Sequence, residues 1–201
     1  VIINGLARPG FIRRKGENLM KGTVALEAGT ILTPAAISLA ATMGHGKVTV
    51  TAKPRIAVIG VGDELVTPGE ELPLNSIYES NTYGIASLIE KIGATPIRYQ
   101  LVSDSIDQLR SILNEASASC DAIVTSGGVS MGEWDIVRRI MEDEGNLKFW
   151  RIMMRPGGPP LFGSWENTPL FGLPGNPVSS HVVFLVLVAP WLSKGMGLNS
   201  K

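Results

Sequence analysis

The chain has 201 residues, enough for one medium domain plus an appendage. It is 44% hydrophobic and 18% charged, which fits a packed globular core and excludes a disordered chain. The 18 Lys plus Arg are balanced by 18 Asp plus Glu, so no global basic field recruits nucleic acid.

Residues 1–52 read as part of a small β-rich lobe. They hold β-like pieces at 23–26 and 47–51 and a short run of charge at Arg8, Arg13, Arg14 and Lys15 that reads as a solvated face. Between the pieces, Thr33 can cap a helix over 35–43 with Pro34 at its first position, and Gly44 ends it. Lys53-Pro54 marks a linker. An α/β domain is expected over 53–195, with 196–201 as a tail.

From Arg55 a regular alternation begins. Residues 56–60 form a short apolar strand, and Ser80 or Asn81 can cap a helix running to Ile92 with Ile85, Leu88, Ile89 and Ile92 on one face. A strand follows over 95–102, a helix over 105–118, a buried strand over 121–125 and an amphipathic helix over 133–144. Strands over 147–153, 161–163 and 170–173 come next, and Pro177 opens an apolar helix to about Leu192. Strands alternating with helices predict a doubly wound, mainly parallel sheet, whose ligands bind outside the carboxyl ends of the strands.

Three glycine-rich turns follow apolar runs: Thr125-Ser-Gly-Gly-Val-Ser-Met-Gly132, Arg155-Pro-Gly-Gly-Pro-Pro160 and Gly172-Leu-Pro-Gly-Asn-Pro177. Glycine lets backbone N–H groups approach a ligand, and helix N-termini favour anions, so the three turns suggest one cleft for an anionic ligand. Gly60-Val-Gly-Asp-Glu-Leu65 lacks the third glycine of a dinucleotide fingerprint. Its Asp63 and Glu64 suit a hard cation or ligand donors, or are solvated turn carboxylates. Asp104 reads alone as a helix cap, and Asp135 as a carboxylate favouring a helix dipole.

Arg151 and Arg155, four apart on a strand, share one face and can grip an oxyanion, or they form a solvated pair at the sheet rim. Gly175 and Asn176 between two prolines make a rigid turn able to line an anion pocket, and Ser179 and Ser180 can add hydroxyls. His45 and His181 have no partner for triad or metal chemistry in the sequence and read as structural.

The lone Cys120 excludes a disulfide framework and a cysteine-based zinc site, and reads as a buried structural thiol. The longest apolar run, 182–192, is too short to span a bilayer and carries Pro190, so no membrane association is expected. No signal peptide opens the chain, and cytoplasm is the expected compartment. The start at Val1-Ile2-Ile3 without Met points to missing upstream sequence.

Taken in order, Gly62-Asp-Glu-Leu65, Thr125-Ser-Gly-Gly-Val-Ser130, Arg155-Pro-Gly157 and Gly172-Leu-Pro-Gly-Asn-Pro177 resemble the molybdopterin molybdenumtransferase family, which includes bacterial MoeA and the gephyrin E domain. Ile12-Arg-Arg-Lys-Gly-Glu17 is similar to a further segment of that family, so the resemblance covers nearly the whole chain. It implies a three-layer molybdopterin-binding domain and an enzyme of molybdenum cofactor biosynthesis, inserting molybdate into adenylylated molybdopterin with Mg²⁺ and releasing AMP. It further implies functional acids at Glu64, Asp104 and Asp135, the same three being Mg²⁺ ligands, and catalytic basic residues at Arg151 and Arg155. Substrate contacts implied are Gly62, Asp63, Ser126, Gly127, Gly128, Ser130, Pro174, Gly175, Asn176, Pro177 and Ser179. A homodimer and a molybdopterin adenylyltransferase partner are also implied.

Three features depart from the family pattern. Gly158 stands where a lysine is usual, arginines replace two lysines at 151 and 155, and members extend beyond both ends of this chain. Two rival readings follow: a non-catalytic molybdopterin-binding or scaffold module, and a molybdopterin adenylyltransferase. Residues 1–52 and the last helix argue against the latter.

Overall fold

The computed structural model describes residues 10, 12–129 and 135–197, and the chain divides into two compact units, Val1–Val50 and Thr51–Lys201. Arg8, Ser130, the expected helix start at Glu133 and most of the expected tail lie outside the described residues.

In the first unit the helix expected after Thr33 forms as α1 (Pro34–Thr42), and Thr33 Oγ1 accepts from Ala36 N at 3.3 Å. The β-rich character does not appear: among the described residues up to 52 there is no strand. Val24, Val48 and Val50 are exposed instead. An alternating segment becomes a strand only where a neighbour takes its ladder hydrogen bonds, and residues 23–26 and 47–51 have none among the described residues.

The second unit is built on one six-stranded sheet. Its strands are β1 (Arg55–Gly60), β4 (Thr95–Arg98), β5 (Ala122–Ser126), β6 (Asn146–Trp150), β7 (Leu161–Trp165) and β8 (Thr168–Leu173), in spatial order β4-β1-β5-β8-β7-β6. The first four run parallel, while β7 is antiparallel to both β8 and β6. Central strands buried on both faces read as continuous apolar runs, as Ile56–Ile59 and Ala122–Val124 do.

Alternate residues of β1 enter opposite cores. Ala57 and Ile59 join Leu109 and Leu113 of α3 (Ile106–Ser119) and Val137 and Ile140 of α4 (Ile136–Asp143). Ile56 and Val58 join Ile85 and Ile89 of α2 (Asn81–Ile92). The same second core takes Val183 of α5 (Pro177–Val183), Phe184 and Val188 of a π turn (Phe184–Val188) and Leu192 of α6 (Ala189–Gly195). Helices therefore cover both faces, giving the three layers.

Several boundaries differ from the sequence reading. The strand over 95–102 stops at Arg98, and Val102 makes only an isolated bridge to Val61. The strand over 147–153 stops at Trp150, because Arg151 turns the chain with φ 74°. A two-stranded parallel pair, β2 (Leu65–Val66) with β3 (Ile77–Tyr78), was not anticipated; two residues are too few to show periodicity. The last helical segment runs 19 residues from Pro177 to Gly195, by length and composition enough to cross a membrane and longer than the apolar run suggested.

Parallel register brings the carboxyl ends of three strands side by side. Gly60 pairs with Ser126, and Ser126 with Leu173. The turns that follow, beginning at Val61, Gly127 and Pro174, therefore emerge together at one edge.

Candidate functional site

A cleft of about 370 Å³ opens above these strand ends. Its wall comes from the turn after β1 (Val61, Gly62, Glu64 and Leu65), residues 77–81, Asp104, residues 126–129, Asp135, Gly175 and Pro177. Of the residues singled out in the sequence, the cleft gathers Gly62, Glu64, Asp104, Ser126, Gly127, Gly128, Asp135, Gly175 and Pro177.

Glycine is obligatory in the turn after β5. Gly127 has φ 96°, and a Cβ there would sit 2.1 Å from the Val61 carbonyl oxygen. Its N–H donates to Leu173 O at 3.0 Å, and Gly62 N donates to Val102 O at 3.0 Å. These two N–H groups hold the strand ends together and are not offered to an anion, contrary to the expectation for glycine turns.

The capping role read for Asp104 does not form, while Asp135 stands at the N-terminus of α4, where a carboxylate favours the helix dipole. Ser105, not Asp104, caps α3 by accepting from Gln108 N. Asp104 N instead donates to Asp63 Oδ1 at 2.8 Å, and Asp63 is exposed and does not line the cleft. Asp135 precedes α4 but makes no side-chain cap bond, and its Oδ2 is buried without a partner among the described residues. Burial pushes the Asp104 carboxyl above the usual carboxylate range, and the charges of Asp63, Glu64 and Asp135 push it further.

Among the described residues no three His, Cys, Asp or Glu side chains converge closely enough to hold a metal alone. Glu64, Asp104 and Asp135 are thus an open set, of the kind that suits Mg²⁺ only with oxygens from a ligand completing its shell.

The arginines are elsewhere. Arg151 lies past the end of β6 and Arg155 in the irregular segment beyond, both exposed and neither lining the cleft, so they share no strand face. The Arg151 guanidinium lies 5.3 Å from the Trp150 ring centroid, with that of Arg138 at 3.6 Å. The Trp150 indole N–H donates to Val129 O at 3.2 Å, at the end of the glycine turn. Pro174 is buried, Asn176 Oδ1 caps α5 by accepting from Ser179 N at 3.1 Å, and neither they nor Ser179 line the cleft.

Glu79 and Asn81 are among the cleft residues not expected as site residues, and both make side-chain hydrogen bonds. Glu79 is buried, and its carboxylate accepts from Thr82 N and Thr82 Oγ1, both at 2.6 Å. Asn81 donates to Ser126 Oγ at 2.8 Å and to Gly175 O at 2.7 Å. Asn81 was legible in the sequence as a helix-cap candidate and not as a cleft residue, and Glu79 carried no signal beyond its place before that helix.

The family model described as "Probable molybdopterin binding domain" matches residues 57–194. The chain belongs to the molybdopterin-binding domain family. It is 39% identical over 186 residues to a molybdopterin molybdenumtransferase of Haemophilus influenzae, covering 92% of this chain and 46% of that protein. It is 38% identical over 205 residues to molybdopterin molybdenumtransferase 2 of Mycobacterium tuberculosis, covering 98% and 51%. The structure of a molybdopterin biosynthesis MoeA protein from Pyrococcus horikoshii superposes with a TM-score of 0.86 at 32% identity, over 98% of this chain and 50% of that one. The chain thus spans about half the length of the curated relatives it matches. Its molybdopterin-binding domain contains every described residue of the cleft.

Proposed function

We propose that the protein is a molybdopterin molybdenumtransferase, inserting molybdate into adenylylated molybdopterin and releasing AMP. The observation that carries this reading is the convergence of Glu64, Asp104 and Asp135 with the Ser126-Gly127-Gly128 and Gly175–Pro177 turns in one cleft of a molybdopterin-binding domain.

The described cleft wall carries four carboxylates, Glu64, Glu79, Asp104 and Asp135, and no Lys or Arg. A phosphate cannot settle against such a wall without a cation. Mg²⁺ fits, held by Glu64, Asp104 and Asp135 and by the ligand's own phosphate oxygens; when bound it supplies the positive charge the wall lacks. Glu64 lies against Gly62, where a Cβ would come 2.6 Å from its Oε2, so the carboxylate sits close to the main chain at the strand end. We place the protein in the cytoplasm as a homodimer, taking its substrate from a molybdopterin adenylyltransferase.

The test incubates purified protein with adenylylated molybdopterin, molybdate and Mg²⁺ and measures AMP. Release should depend on both ions and disappear in Glu64→Ala and Asp135→Ala.

A second reading, a molybdopterin-binding module without turnover, is favoured by the position of Arg151 and Arg155 outside the cleft and by Gly158. Tight pterin binding with no AMP release would establish it in place of the first. Gly158 has room for a side chain if Met154 O, 3.2 Å from a built Cβ, gives slightly. Gly158→Lys should shift molybdate dependence to lower concentration; no shift removes that turn from molybdate binding.

A further inference from the structure

Asn81 joins three parts of the cleft that are far apart in the chain. Its side-chain nitrogen donates to Ser126 Oγ at the end of β5 and to the Gly175 carbonyl in the turn after β8. Ser126 Oγ in turn donates to Pro174 O at 3.4 Å. A carbonyl oxygen only accepts, so the amide must present its nitrogen to Gly175. Both amide protons are then used, and Oδ1 is left buried without a partner among the described residues.

The helix itself does not require this amide. An asparagine at a helix start ordinarily accepts from an N–H two or three residues on. Here Glu79 accepts from Thr82 N, and Ser80, at the cap position, makes no side-chain cap bond. Asn81 is spent entirely on the far side of the cleft. The two turns it bridges touch: a Cβ on Gly175 would meet Gly127 Cα at 3.7 Å.

We propose that Asn81 is a positioning residue, tying the turn after β8 to the end of β5 and thereby setting the width of the cleft. The proposal rests on the functional reading only for the identity of the ligand. Without the amide, the Pro174–Pro177 turn keeps its bonds to α5, the Asn176 cap and the Ser180 hydroxyl on Pro177 O, but toward the end of β5 its side-chain tie is the 3.4 Å bond from Ser126 Oγ. The turn then moves relative to Gly127, and a ligand that touches both turns binds less well.

Two variants test this. Asn81→Ala removes the bridge, and Asn81→Asp keeps the shape while setting an oxygen against the Gly175 carbonyl. In the ligand-free protein, amide hydrogen exchange over residues 174–180 should become about tenfold faster in both, with exchange in α3 unchanged. Exchange at wild-type rates in this turn overturns the proposal, whatever the protein binds. With adenylylated molybdopterin as probe, the Kd should rise about tenfold or more in Asn81→Asp while its Tm stays within a few degrees of wild type. An unchanged Kd also overturns it. Should Asn81→Ala fail to fold, the isosteric Asn81→Asp decides. A wild-type protein that does not bind the probe sinks the functional reading, and the exchange measurement still decides the role of Asn81.

Discussion

At Gly127 conformation and space coincide. Its φ of 96° disfavours any side chain, and the atom a Cβ would strike is backbone, the Val61 carbonyl, which cannot swing aside. Gly127→Ala should therefore cost about 3 kcal/mol or more in urea unfolding. Gly69 is the control: its φ of 99° is as unusual, but nothing lies within 4 Å of a built Cβ. Gly69→Ala should cost only about 1 kcal/mol. Asp104 offers a test in pH. Its carboxyl is raised by burial and by Asp63, Glu64 and Asp135, so the fold favours the neutral acid. Below the ordinary value of about 3.9 the group is protonated in both states and has no effect. As pH rises through the raised folded value, it charges against its neighbours and stability falls. Asp104→Asn should raise Tm at neutral pH, and the gain should vanish below about pH 4. Equal melting curves at neutral pH would mean that solvent screens the cluster completely. These acids were legible in the sequence as motif positions. Their separation from capping roles was not, because Ser105 and Asp104 are equally good caps by type and only the fold chooses between them.

For the elements, legibility followed length. The helices α2 and α3 repeat their pattern often enough to be read from one face, and the strands β1 and β5 show as unbroken apolar runs. The pair β2–β3 does not, nor does the turn at Arg151, where one left-handed residue moved two arginines off the expected face. The start of α2 shows the same division. A cap was expected at Ser80 or Asn81, yet the partner of Thr82 N is the buried Glu79, whose remaining oxygen takes the Thr82 hydroxyl and faces Arg98 at 4.0 Å. No local rule points to a glutamate before the cap, because its environment is made by Gly60 and Leu101 from other elements. Glu79→Gln keeps the shape but replaces one accepting oxygen by a donor facing donors. We expect a loss of about 1–3 kcal/mol in chemical denaturation. A neutral result would show that water replaces the lost acceptor.

Across the whole molecule, the sheet, both cores and the cleft belong to one of the two compact units. The two cores run from Ile56 to Leu192, and the described cleft residues from Val61 to Pro177. Among the described residues, no buried residue of either cluster lies before Ile56. Hydrophobic burial is the main favourable term in folding, and among the described residues both large clusters form from residues of the second unit, while the first unit buries Ala36 and Ala40 of α1. A protein comprising residues 51–197 should therefore melt in a single cooperative transition, with the near-ultraviolet dichroism of its packed tryptophans intact. Because the carboxylates and the bridged turns are retained, it should also bind AMP in the presence of Mg²⁺ with the affinity of the longer chain. Calorimetry on the two proteins measures both properties. Loss of the cooperative transition would assign part of the stabilising core to residues 1–50. A stable fold with weakened AMP binding would overturn the second expectation.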